Sequence, residues 1–131
     1  MTQGFMGVDW EDRIDFARLR RERLEKAKKA LAESDVDALF VFHTEDARYL
    51  TGARSHLGPT YSNKTTVVLA KGGDPILFTM DHVYCRETMP WLAPGQIQER
   101  AILGEPIGVK KWAGRLEGLI GSLSGKRVGW D

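Results

Sequence analysis

The sequence predicts an α/β domain, and three observations carry that prediction. Ala38 to Phe42 (ALFVF) is an unbroken apolar run of strand length, the pattern of a strand covered on both faces of a sheet. Two β-rich runs, Lys64 to Lys71 (KTTVVLAK) and Pro75 to Met80 (PILFTM), are separated by Gly72, Gly73 and Asp74, which is hairpin spacing. Around these strands lie two stretches, from about Arg13 to Ser34 and from about Ile107 to Leu123, whose apolar residues recur at three and four, the period of an amphipathic helix.

Met1 to Trp10 shows no period and reads as a lead-in, about residues 1–12, with Trp10 a candidate to tuck against the domain. In the first helix Leu24, Ala27 and Leu31 mark the packing stripe, with Phe16 and Ala17 near the same face. The other face carries Arg18, Arg21, Arg23, Lys28 and Lys29 interleaved with Glu22, Glu25 and Glu33. That mixture fits a solvated face better than a phosphate-tracking one, and Glu22–Lys26 and Glu25–Lys29 stand at the favourable i, i+4 spacing. Next, Asp35 to Gly52 (DVDALFVFHTEDARYLTG) reads as strand, turn, helix, stop. Thr44 is the expected N-cap, Glu45 and Asp46 place negative charge in the first turn, and Gly52 ends the helix.

Ala53 to Asn63 (ARSHLGPTYSN) is polar, aperiodic and contains Gly58-Pro59, so it reads as a long loop before the hairpin. Asp81 is placed to cap a short helix through about Thr88, which Pro90, Pro94 and Gly95 end. Gln96 to Leu103 (QIQERAIL) reads as a further strand with imperfect alternation. In the last helix Val109, Trp112, Leu116, Leu119, Ile120 and Leu123 form the apolar face, and Gly114, Gly118 and Gly121 gather opposite Trp112 and Leu116. A glycine row is either a face open to close docking or the mark of a weak surface helix. Gly125 closes the helix, and Lys126 to Asp131 (KRVGWD) begins another strand, so that the sequence reads as a piece of a longer protein.

With 131 residues and 42% hydrophobic composition, the chain suits one domain with a sizeable core. Nineteen basic and 18 acidic side chains leave a formal charge of +1, so no global field draws it to nucleic acid or an anionic membrane. A single cysteine, Cys85, excludes an internal disulfide and a multi-cysteine zinc site, and with no apolar stretch of membrane-spanning length the expected compartment is cytoplasmic.

Motifs of chemistry are sparse. His82-x-x-Cys85 beside Asp81 is the nearest approach to metal-ligand spacing, short of the three or four ligands a zinc site needs. Cys85 reads as a packed residue. No phosphate-binding glycine loop or nucleophile elbow is present. Arg54, His56 and Tyr61 remain as candidate substrate-binding residues, because they share the long loop beyond the central unit and loops on rigid scaffolds concentrate binding groups. The arginine offers a fork for a carboxylate and the histidine a hydrogen bond near neutral pH.

The order helix, DVDALFVF, TEDARYLTG, long loop, hairpin, capped helix resembles the N-terminal domain of the creatinase/prolidase/aminopeptidase P family. Glu45 to Gly52 (EDARYLTG) matches the family phrase after the apolar strand, and Lys64 to Thr79 matches its hairpin; the likeness covers about Asp15 to Asp131. The resemblance implies a mixed sheet of about five to six strands with helices on its faces, of ribonuclease H-like architecture. It implies a non-catalytic domain, here residues 1–131, preceding a pita-bread catalytic domain absent from this chain. In that second domain two aspartates, a histidine and two glutamates would hold two divalent metal ions (manganese, cobalt or zinc). It further implies a homodimer in which the loop Ala53 to Asn63, with Arg54, His56 and Tyr61, reaches the partner's substrate. The expected function is thus dimerisation and substrate access for an Xaa-Pro dipeptidase or aminopeptidase P-like hydrolase, the domain itself being inactive, with creatinase-like and lyase branches sharing such domains. The alternative is a self-contained α/β module binding a small ligand or a protein.

Overall fold

The computed structural model describes residues 13–53, 65–100 and 104–131. Helix α1 (Phe16–Glu33) begins at Asp15, whose carboxylate accepts the Arg18 backbone N–H at 2.9 Å, an N-cap that satisfies one of the helix's unpaired donors. Strand β1 (Ala38–Val41) and helix α2 (Thr44–Thr51) follow, then the hairpin of β2 (Thr65–Ala70) and β3 (Ile76–Thr79). Helix α3 (His82–Thr88), a turn of 3-10 helix (Pro94–Gln96), β4 (Ile97–Glu99), α4 (Pro106–Ile120) and β5 (Val128–Trp130) complete the described elements.

The strands form one five-stranded mixed sheet in the order β4-β3-β2-β1-β5. The β1/β2 and β2/β3 pairs are antiparallel, with Val41 opposite Val67 and Val67 opposite Leu77; β3/β4 and β1/β5 are parallel. The middle strand is therefore β2, not the β1 run from which the sequence reading starts. Its Val67, Val68 and Leu69 are all 0% exposed, which is why the sequence there shows no alternation: both faces are covered.

Two core layers lie on the two faces. On one, Val41, Val67, Leu69 and Leu77 pack with Leu31 of α1, Ala47 and Leu50 of α2, and Cys85 of α3. On the other, Val68, Ile76 and Phe78 pack with Trp112 and Leu116 of α4. Trp112 stands edge-on to both Phe40 and Phe78, with ring centroids 5.6 Å away in each case.

The hairpin expected over Lys64 to Met80 is present, with Gly72 at φ 77° in its turn and Gly73 N–H donating to the Ala70 carbonyl. Several boundaries differ from the sequence reading. Thr44 is the first residue of α2 rather than its cap: His43 occupies the N-cap position and makes no side-chain capping bond. The carboxylate of Asp131, beyond the end of β5, instead accepts the Phe42 and His43 backbone N–H groups at 2.7 and 3.0 Å. Asp81 does stand at the N-cap of α3 but makes no side-chain capping bond. The strand expected over Gln96 to Leu103 is only three residues long, Ile97–Glu99, with Gln96 in the preceding turn and 101–103 outside the described residues.

The last helix ends at Ile120, because Gly121 leaves helical space at φ 83°, ψ 178°, and not at Gly125. Leu123 keeps the helical period yet lies outside the helix, still packed against the second core layer. The glycine row thus loses Gly121 to a terminating role, leaving Gly114 and Gly118 with open space where a side chain would stand. Within α1 the ion pairs among the described residues are Arg18–Glu22 and Lys29–Glu33 rather than the two expected from spacing, and Lys28 pairs outside the helix with Asp74.

Candidate functional site

Of the predicted site residues, Arg54, His56 and Tyr61 lie outside the described residues, as does the lead-in with Trp10. What the structure shows is the root of that loop. The described chain leaves at Ala53 and resumes at Thr65, the first residue of the central strand.

The root is built by α2. Its buried face, Ala47, Leu50 and Thr51, follows the three-and-four spacing and seats the helix on the sheet. Thr51 then does two jobs: its hydroxyl donates to the Ala47 carbonyl at 2.7 Å and accepts the Ala53 N–H at 3.1 Å. Gly52 adopts the left-handed conformation, φ 72°, and its N–H closes on the Arg48 carbonyl at 2.7 Å. The Thr51 carbonyl, left unpaired by the helix end, accepts the Trp91 indole N–H at 2.8 Å. Arg20 of α1 lies across this junction with its guanidinium 3.8 Å from the Trp91 ring centroid. A Cβ on Gly52 would come within 2.6 Å of Arg20 Cδ, so glycine is required twice over, by its φ and by the side chain above it. Arg20 also brings positive charge to the C-terminal end of α2, where the helix dipole favours it.

Beside this root opens a cleft of about 580 Å³ whose walls include Arg20 and Arg23 of α1, Arg48 and Gly52 of α2, Tyr84 of α3 and Trp91. Arg23 sits 5.4 Å from the centroid of the Tyr49 ring, itself 39% exposed. None of the described lining residues is acidic. Arg23 therefore belongs to a cleft wall and not to the solvated face where the sequence reading put it, and of the RYL phrase only Leu50 is buried while Arg48 and Tyr49 are exposed. The spacing of Arg20 and Arg23, i and i+3, was a readable hint of a shared face; the Trp91 stack, made across 71 positions of sequence, was not.

Cys85 is a packed residue, 3% exposed in the first core layer. Burial, and after it the negative charge of Asp81, pushes its thiol above the ordinary value, the opposite of an activated nucleophile. His82 does not join it as a ligand pair in any cation-binding group among the described residues. The grouping able to hold a cation there is His43, Asp46 and Asp131, all exposed, and the Asp131 carboxylate is already engaged with backbone N–H groups. This set of one histidine and two aspartates falls short of the two aspartates, histidine and two glutamates expected of the catalytic domain.

A five-stranded mixed sheet with α1, α2 and α3 over one face and α4 over the other defines a mixed α/β domain. The creatinase/prolidase N-terminal domain family model matches residues 23–131, and the chain belongs to that family. Among solved structures it is similar to an Xaa-Pro aminopeptidase from Streptococcus pyogenes, at 16% identity and TM-score 0.52, covering 88% of this chain and 93% of that one. An aminopeptidase P from Streptococcus thermophilus is also similar, at 16% identity and TM-score 0.48, covering 86% and 91%. Likeness at this identity speaks to the fold. No curated protein matches the chain.

Proposed function

We propose that this chain is the accessory N-terminal domain of a two-domain metallohydrolase acting on Xaa-Pro peptides, with the chemistry supplied by a catalytic domain that these residues do not include. The observation that carries the reading is family membership over residues 23–131. The likeness to an Xaa-Pro aminopeptidase structure over most of both chains supports the same fold. The role is to pair with a second copy and to present the loop Ala53 to Asn63 to the substrate held by that copy. In this reading Arg54 takes the peptide's terminal carboxylate, His56 and Tyr61 give hydrogen bonds, and two divalent ions, manganese, cobalt or zinc, belong to the catalytic domain in a cytoplasmic homodimer.

A loop that must deliver an arginine to another subunit needs a stiff origin. The Thr51, Gly52 and Trp91 hydrogen bonds supply one, since each closes a backbone group that would otherwise be free to move. Steady-state kinetics of the protein encoded by the whole reading frame tests the role. Arg54→Ala should raise KM for an Xaa-Pro dipeptide by roughly tenfold with kcat little changed, the signature of lost ground-state binding. An unaltered KM in both Arg54→Ala and His56→Ala removes the loop from substrate recognition.

A further inference from the structure

The arginine-lined cleft shares Gly52 and Trp91 with the loop root, but its chemistry stands independently of the role just described. Arg20, Arg23 and Arg48 all line one concavity. The ion pairs among the described residues are made elsewhere: Arg18 with Glu22, Lys28 with Asp74, Lys29 with Glu33, Arg127 with Asp35 and, when the imidazole is protonated, His43 with Asp46. Three like charges around one cleft without a carboxylate in its described walls repel one another, and an anion between them relieves that repulsion.

Two of the three are held rather than loose. Arg20 lies over Trp91, which is itself pinned by its hydrogen bond to the Thr51 carbonyl, and Arg23 lies over Tyr49. A guanidinium stacked on a ring spends its face and keeps its in-plane N–H donors for an anion, so less freedom is lost on binding. The walls are also substantially apolar and aromatic, with Phe16, Leu19 and Met89 beside Trp91. At about 580 Å³ the cleft lies within the range of small-ligand sites. A bare inorganic ion would leave those walls unused, and a nucleic acid backbone would need a longer basic track than one cleft offers.

We propose that this cleft binds a small organic carboxylate with a flat apolar body, the carboxylate among the arginines and the body against the Trp91 side. Calorimetric titration of the 131-residue chain with N-acetyl-L-phenylalanine, its neutral amide and phenyl phosphate tests it. The acid should bind, the amide roughly tenfold more weakly because only the charge-assisted bonds differ, and raising salt to about 0.5 M should weaken the acid selectively. Arg23→Gln and Arg48→Gln should each cost about fivefold in affinity for the acid while melting at the parent's temperature, since neither side chain belongs to a core layer. Equal binding of acid and amide, or no binding of the acid up to about 10 mM, overturns the proposal. So do folded arginine variants that bind as the parent does, and phenyl phosphate binding more tightly than the acid, which assigns the cleft to phosphate esters. Binding of the acid seen only after residues 1–12 are removed overturns it as well, because the cleft would then serve the chain's own acidic start.

Discussion

Trp112 shows how one side chain holds the second core layer together and what it leaves unfinished. It is 9% exposed, touches Phe40 and Phe78 edge-on, and its indole N–H has no hydrogen-bond partner among the described residues. A buried donor without an acceptor costs about 1–3 kcal/mol, so the ring's packing must outweigh it. Trp112→Phe, which removes the orphan donor and keeps an aromatic ring, should cost less than about 1.5 kcal/mol in a urea melt. Trp112→Ala should cost about 3–5 kcal/mol; similar losses in the two variants would mean that the ring is not what matters there. The buried thiol of Cys85 ionises above the ordinary value of 9.0, whereas the unfolded chain's thiol ionises at that value. As pH rises past 9.0 the unfolded state sheds this proton first, so folding free energy falls with pH. Cys85→Ala should flatten that alkaline decline relative to the parent, and parallel pH profiles of the two proteins would contradict the assignment.

Among the elements, α2 and its stop decide where the long loop starts. Gly52→Ala forces a left-handed backbone on a residue with a Cβ and pushes that Cβ toward Arg20, so a loss of about 1–3 kcal/mol is expected. A Gly52→Ala protein with the parent's urea midpoint would show that the junction relaxes freely. The glycine stop of α2 and the hairpin were legible because each rests on local signals, a glycine where φ turns positive and a turn between β runs. The repeat at three and four found both helices but overfilled their stripes: Trp112 and Leu116 of α4 are buried while Val109 and Leu119 are exposed, as is Ala17 of α1. What failed rests on distant parts of the chain. Thr44 has the chemistry of a cap, yet the acceptors at that corner come from Asp131, 88 or 89 positions away. Leu123 keeps the helical period because it reaches the core after the helix has ended, so periodicity overran the true stop at Gly121. The parallel pairing of β1 with β5 and of β3 with β4 has no local signature at all.

For the whole molecule, the α/β class and the family were readable from one short phrase and one hairpin, Glu45 to Gly52 and Lys64 to Thr79. The middle position of β2 was not, because an apolar run announces burial without saying which strand lies at the centre. The candidate loop was visible as a polar, aperiodic stretch, whereas the arginine cleft was not. Its walls come from α1, α2, α3 and the segment after α3, and of its arginines Arg23 reads in sequence as part of an ordinary wet helix face. No helix among the described residues is long and apolar enough to cross a membrane. The central claim is that these residues serve an Xaa-Pro hydrolase without performing its chemistry. The most direct measurement is hydrolysis of an Xaa-Pro dipeptide, with manganese or cobalt added, by the 131-residue chain and by the protein encoded by the whole reading frame, side by side. The account predicts turnover by the longer protein and none by the 131-residue chain; turnover by the chain itself, or a longer protein inert toward Xaa-Pro peptides, would contradict it.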